Sequence, residues 1–142
     1  MKNMSRVSIG GARVVTPGRD LGVMEIVVDG ERIVAVGGDP ARKPVGQDET
    51  IDAGGLIALP GFIDIHSHGR GGADFCDATD AAFDMIGRGK LADGVTGFLA
   101  TGLTRPEEDL AELCRCVERY KKKVEKKGGG GEAGSTCLGV HL

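Results

Sequence analysis

The sequence predicts an α/β chain in two parts, a β-rich lead-in over residues 1–59 and a run of parallel βα units over residues 60–142. Three observations predict it. Short β-branched runs separated by Gly-Gly and Asp-Gly turn signals fill the first part. From Pro60 onward, apolar strand-like runs alternate with two longer stretches of helical periodicity. Those strands lie roughly 35 to 40 residues apart, which suits parallel strands joined by right-handed crossover helices.

Residues 6–16 (RVSIGGARVVT) read as a strand bent at Gly10-Gly11. Residues 24–28 (MEIVV) and 32–36 (RIVAV) flank Asp29-Gly30-Glu31, and Asp-Gly between β-branched runs is a hairpin signal. Residues 39–48 (DPARKPVGQD) read as a polar loop. Residues 50–59 (TIDAGGLIAL) read as a further β segment with a Gly-Gly turn.

After Pro60 the pattern changes. FIDIH (62–66) reads as a strand. Residues 78–93 read as a helix capped by Thr79 or Asp80, with Ala82, Phe83, Ile86 and Leu91 apolar and Gly94 as the stop. VTGFLAT (95–101) reads as a short buried strand. Thr104-Arg105-Pro106-Glu107 has capping-box spacing and opens a helix running to about Lys127. Its expected buried stripe is Leu110, Leu113, Cys114 and Val117, continued by Tyr120 and Val124. The run Lys121–Lys123 with Lys126 and Lys127 suits the negative end of the helix dipole, so it reads as a solvated helix end. Gly128–Gly131 read as a flexible surface loop and CLGVHL (137–142) as a third strand. A closed (β/α)8 barrel takes about 250 residues. Two βα units and one more strand are too few to close one, so the second part is expected to be a truncated barrel.

Composition narrows the function. The chain has 142 residues, 40% of them hydrophobic and 27% charged, enough apolar content for a core. A net charge of -3, no Trp and one Tyr argue against a nucleic-acid partner. No stretch approaches the ~20 apolar residues of a membrane span, and the first residues lack the apolar centre of a signal peptide. Four cysteines form no C-x-x-C pair and read as free thiols in a reducing compartment, with Cys114 and Cys116 on different helix faces.

The chemistry concentrates in LPGFIDIHSHGRGG (59–72), which holds two of the three histidines. Strand alternation predicts that Asp64, His66 and His68 share one face, while Ile63 and Ile65 pack outward on the helices. A divalent metal at the strand end would satisfy the two imidazoles, which suit zinc or iron, and Asp64 would then orient a ligand histidine. Gly69-Arg70-Gly71-Gly72 would leave room for a substrate beside them. Other readings compete. The histidines could be hydrogen-bonded core or loop residues. The glycines could cradle a phosphate, although Asp74 stands where the third glycine of a dinucleotide fingerprint belongs. Asp64 could simply end the strand.

LPGFIDIHSHG (59–69) resembles the opening of the barrel in the amidohydrolase superfamily, and DGERIVAVG (29–37) is similar to the small β-sandwich that precedes that barrel. GGADFCDAT (71–79), DGVTGFLATGLT (93–104) and LGVHL (138–142) narrow the resemblance to the N-acetylglucosamine-6-phosphate deacetylase family. The resemblance implies a β-sandwich segment followed by the first βα units of an incomplete TIM (β/α)8 barrel. It implies a metal-dependent hydrolase that removes the acetyl group from N-acetylglucosamine-6-phosphate, giving glucosamine-6-phosphate and acetate. His66 and His68 match the family's metal-binding pair, and the cofactor would be a divalent ion, zinc or iron. The family motif continues past Leu142 with a metal-binding glutamate, and the catalytic aspartate is expected beyond Leu142 as well. This chain would therefore hold no catalytic residue and be inactive alone. His141 receives no ligand role and reads as a packed strand histidine; no substrate-binding residue is assigned. The expected partner is a small amino-sugar phosphate, without nucleic acid or membrane, in a cytoplasmic protein that is a homodimer at full length. The alternatives are another amide or cyclic-amide hydrolase or deaminase of the superfamily, or a non-catalytic truncated fragment.

Overall fold

The computed structural model describes residues 6–38, 49–126 and 134–142. The chain divides into two units, residues 1–60 and 61–142. The expected loops at 39–48 and Gly128–Gly131 lie outside the described residues.

In the first unit, β1 (Arg6–Thr16), β2 (Arg19–Asp29), β3 (Arg32–Val36), β4 (Glu49–Asp52) and β5 (Ile57–Ala58) make one sheet. β2 pairs antiparallel with both β1 and β3, while β4 and β5 lie parallel to β1. Gly30 and Glu31, with Gly30 at φ 61°, make the turn that joins β2 to β3, one residue on from the Asp-Gly centre that the sequence suggests. A second hairpin, closed by Pro17-Gly18 between Thr16 and Arg19, lengthens β2 beyond the 24–28 core read from the sequence. Proline before a glycine at φ 75° is its turn signal. The Gly-Gly bend in β1 is a register shift between Ile9 and Ala12 rather than a break. The buried residues are small: Ser8, Ala12, Val14, Val27 and Ala53.

The second unit alternates strand and helix. β6 (Phe62–Ser67), β9 (Val95–Thr101) and β10 (Thr136–His141) form a wholly parallel sheet in the order β10-β9-β6. Between β6 and the first helix lie a short hairpin, β7 (Gly69–Arg70) and β8 (Ala73–Asp74), and a 3-10 turn over Phe75–Asp77. Thr79 caps α1 (Asp80–Ala92) by accepting from the Ala82 N–H at 3.2 Å, and Gly94 follows it at φ 79°. α2 (Glu107–Lys126) starts one residue after Pro106, whose carbonyl accepts from Asp109 and Leu110 N–H. Thr104 is thus too far back to cap it, because proline takes the flanking position.

The core lies between the sheet and the two helices. Phe75 stacks on Phe98 at 5.3 Å between centroids and meets Phe83 edge-on at 5.1 Å; Tyr120 lies 5.7 Å from Phe83. Leu113, Cys116, Val117 and Val124 close it from α2, and Cys137 from β10. The α2 stripe therefore uses Cys116, while Cys114 is exposed. Both cysteines stand near Val117, but position 116 is one helical turn before Tyr120 and shares its face. On α1 the buried face is Ala82, Phe83, Ile86, Gly87 and Lys90; Leu91 is only partly covered. Every aromatic side chain belongs to this second unit.

Gly87 is where α1 admits the ring of α2. A Cβ there would stand 1.9 Å from Tyr120 Oη and 2.8 Å from its Cζ. The ring cannot yield easily, because Oη donates to the Ser135 carbonyl at 2.9 Å inside the core. Gly87→Ala would gain about 1 kcal/mol of helix propensity, but overpacking costs typically 1–3 kcal/mol. We expect a net loss, read as a lower urea midpoint at unchanged slope; a stabilised variant would refute the packing argument. Burial also pushes the Tyr120 phenol up to about 12. The unfolded chain ionises near 10 while the native state keeps its proton, so stability should fall as pH rises from about 10 to about 12. The loss is about 1.4 kcal/mol per pH unit in that window. Urea unfolding across that range should show the slope in wild type and a shallower one in Tyr120→Phe.

Candidate metal centre

β6 runs beside β9 with Ile63 opposite Gly97, Asp64 opposite Phe98 and Ser67 opposite Ala100. Three steps along β6 thus match two along β9, so one extra residue is accommodated between Asp64 and Ser67. Below the extra residue, Asp64 lies on the helix side with Phe98. Above it, Ser67 lies on the helix side with Ala100. Both reach Lys90 of α1: its Nζ donates to Asp64 Oδ2 and to Ser67 Oγ, each at 2.6 Å. His66 and His68 are left together on the other side, their ring centroids 5.2 Å apart and edge to face.

This corrects the expectation of strict alternation. Asp64 does not share the face of the histidines. Ile63 and Ile65 do not pack on the helices either; they are 63% and 64% exposed on the opposite face of the sheet. Alternation by twos holds only while the two strands advance in step, and the extra residue exchanges the faces.

The backbone groups freed at the extra residue go to side chains. The His66 N–H donates to Asp64 Oδ1 at 3.1 Å, and the Ser67 N–H to the buried Thr101 Oγ1 at 3.1 Å. The Ile65 carbonyl accepts from His141 Nδ1 at 3.0 Å. A carbonyl only accepts, so that nitrogen carries the proton. Asp64 therefore holds the backbone of His66 rather than a ring nitrogen. The Lys90 ammonium, bonded to its other oxygen, keeps the Asp64 carboxyl below the usual carboxylate range.

His141 is exposed, and its ring centroid stands 4.9 Å from that of His66. The packed histidine expected from sequence is instead part of the same cluster. Its signal was present: it closes the third strand, and parallel strands bring their carboxyl ends together. Lys90 also escaped sequence reading. A lysine four residues after Ile86, on the face that buries Phe83, is the sign that could have found it.

The glycine loop folds on itself. Gly71 and Gly72 at φ 66° and 87° make the two-residue turn of the β7–β8 hairpin. A Cβ at Gly69 would lie 2.0 Å from the Ala73 carbonyl oxygen. Arg70 reaches over α1 to Asp93 at 2.7 Å. The loop is thus closed on its own chain at Gly69, while Gly72 faces open space. The 3-10 turn separates it from α1, unlike a phosphate loop that runs directly into a helix N-terminus.

Among the described residues, no group of three or more His, Cys, Asp or Glu side chains is placed to hold a metal ion. The pair itself fits one. Two imidazoles meet at the carboxyl end of a parallel strand, and His68 Nδ1 is buried without a hydrogen-bond partner among the described residues. A buried polar atom left unpaired costs about 1–3 kcal/mol, and coordination to a cation would remove that cost.

No family model matches the chain. It is similar to N-acetylglucosamine-6-phosphate deacetylase of Bacillus subtilis, 30% identical over 111 residues that make up 78% of this chain and 27% of that protein. The deacetylase of the same name from Mus musculus is 37% identical over 98 residues, 67% of this chain and 22% of that one. Among solved structures, a variant of the deacetylase from Mycobacterium smegmatis, in complex with N-acetyl-D-glucosamine-6-phosphate, matches 89% of this chain and 32% of its own. That match has 30% identity and a TM-score of 0.64. The chain thus spans about a quarter of the length of the curated relatives it matches. By sequence and by fold it belongs to the N-acetylglucosamine-6-phosphate deacetylase family.

Proposed function

We propose that this chain supplies His66 and His68 as metal-holding groups to an enzyme that hydrolyses N-acetylglucosamine-6-phosphate to glucosamine-6-phosphate and acetate. The observation that carries the reading is the meeting of the two imidazoles at the end of β6, with His68 Nδ1 buried and unpaired among the described residues. The family relationship supplies the substrate: the Mycobacterium smegmatis relative is a complex with that sugar phosphate. When bound, a divalent zinc or iron ion would acidify a water and polarise the amide carbonyl.

The chain's own residues would hold and orient. His66 and His68 would donate ring nitrogens. Asp64 would support them from the far side of the strand through the His66 N–H. No residue described here is given the acid–base role. In this reading the first unit is part of a small β-sandwich, and the second is the opening arc of a (β/α)8 barrel. Three observations support the arc. The sheet is wholly parallel, its helices lie on one face, and branched residues line the other. His66 and His141 stand at or next to the carboxyl ends of their strands, where barrel enzymes place their chemistry. A homodimeric, cytoplasmic protein acting on a small substrate completes the proposal.

The test is metal analysis and acetate release in the full-length protein. We expect His66→Ala/His68→Ala to lose bound metal and to reduce deacetylation to background while the far-ultraviolet spectrum stays unchanged. Equal metal content in wild type and variant would remove the assignment.

A further inference from the structure

Lys90 is a charged residue in a place built for an apolar one. It lies on the core face of α1, 4% exposed, one turn after Ile86, with its ammonium 5.7 Å from the centre of the Phe98 ring. Burying an ammonium is costly unless paired, and a well-packed apolar side chain at such a position is often as stable or more so. A purely structural requirement would therefore be met by leucine or methionine. What lysine adds is its two partners, Asp64 Oδ2 and Ser67 Oγ. These are the residues on either side of the extra residue in β6.

Each partner is also committed on its far side. Asp64 holds the His66 N–H, and the Ser67 N–H is held by Thr101. One ammonium thus spans the segment whose extra residue turns His66 and His68 away from the helices. Without that span, Asp64 and Ser67 are free to slide to an in-step register with β9. With Asp64 still opposite Phe98, the slide would carry His66 and His68 together to the helix side of the sheet.

We infer that Lys90 is a positioning residue for the histidine pair: by bridging Asp64 and Ser67 across the extra residue of β6, it keeps the His66 and His68 rings on the face away from the helices, where one divalent cation can reach both. This inference rests on the reading of the pair as metal-holding, and the experiment separates the two. Co(II) alone is titrated into the metal-free full-length protein, followed by its visible absorption, alongside urea unfolding of each variant. Lys90→Met should bind Co(II) about 10- to 100-fold more weakly, the usual effect of losing a group that supports a metal ligand. Lys123→Met is the control. It breaks a more exposed ion pair with Asp84, between α1 and α2 and away from the histidines, and its Co(II) affinity should stay within about twofold of wild type.

Asp64→Asn/Lys90→Met leaves no unpaired charge and keeps an acceptor for the His66 N–H. We expect it to recover the urea midpoint but not the affinity. If affinity returns in step with the midpoint, Lys90 serves only folding and the inference fails. It fails too if folded Lys90→Met binds Co(II) like wild type. Equal Co(II) binding by wild type and His66→Ala/His68→Ala would instead overturn the metal-pair reading, and this role with it.

Discussion

β6 carries one residue more than β9 can match between Asp64 and Ser67, and the placement of the polar groups at the strand end follows from that mismatch. Below it, the carboxylate faces the helices. Above it, the hydroxyl does. The two imidazoles are left on the opposite side. A bulge is tolerated only where its unmatched backbone groups find partners. Here the partners are the side chains of Asp64, Thr101 and His141, drawn from all three strands of the sheet. The strand end is therefore a polar network anchored in an aromatic core, with Lys90 as the contact between them. That coupling explains why a charge is tolerated beside Phe98: in a low-dielectric setting its hydrogen bonds are strong, and leaving any member unpaired would be costly.

Much of the fold was legible because its signals are local. Thr79 as a cap, Gly94 as a stop, Gly30 in a turn and the stripe ending in Tyr120 and Val124 depend on a few neighbouring residues. The site was legible only as composition, two histidines at a strand end. Its arrangement depends on how many residues of β6 face β9, which no property of residues 62–68 alone determines. The choice between Cys116 and Cys114 was by contrast local: only Cys116 stands one helical turn before Tyr120 and shares its buried face. Ile63 and Ile65 do alternate with Asp64; they were misplaced because Asp64, not the isoleucines, turns to the helices to meet Lys90.

The relatives share a quarter or less to about a third of their length with this chain. Within that shared part, the histidine pair and its support come from β6, α1, β9 and β10 together. The chemistry proposed for the family thus rests here on a cooperative unit rather than on one motif. A substitution in α1, far from the imidazoles in sequence, bears on them as directly as one in the motif.

The uneven distribution of aromatic side chains has a consequence for observing this molecule. Residues 1–60 contain no Phe, Tyr or Trp, while the second unit holds four Phe and the single Tyr in the chain. Tyrosine fluorescence and near-ultraviolet dichroism therefore see only the unit that carries the histidines. The five-stranded sheet of the first unit, with its small core of Ala12, Val14, Val27 and Ala53, is optically silent at those wavelengths. The two units carry separate spectroscopic labels by composition alone: amide signals report both, and aromatic signals report one. Any difference between the two kinds of curve would measure how independently the lead-in sheet folds.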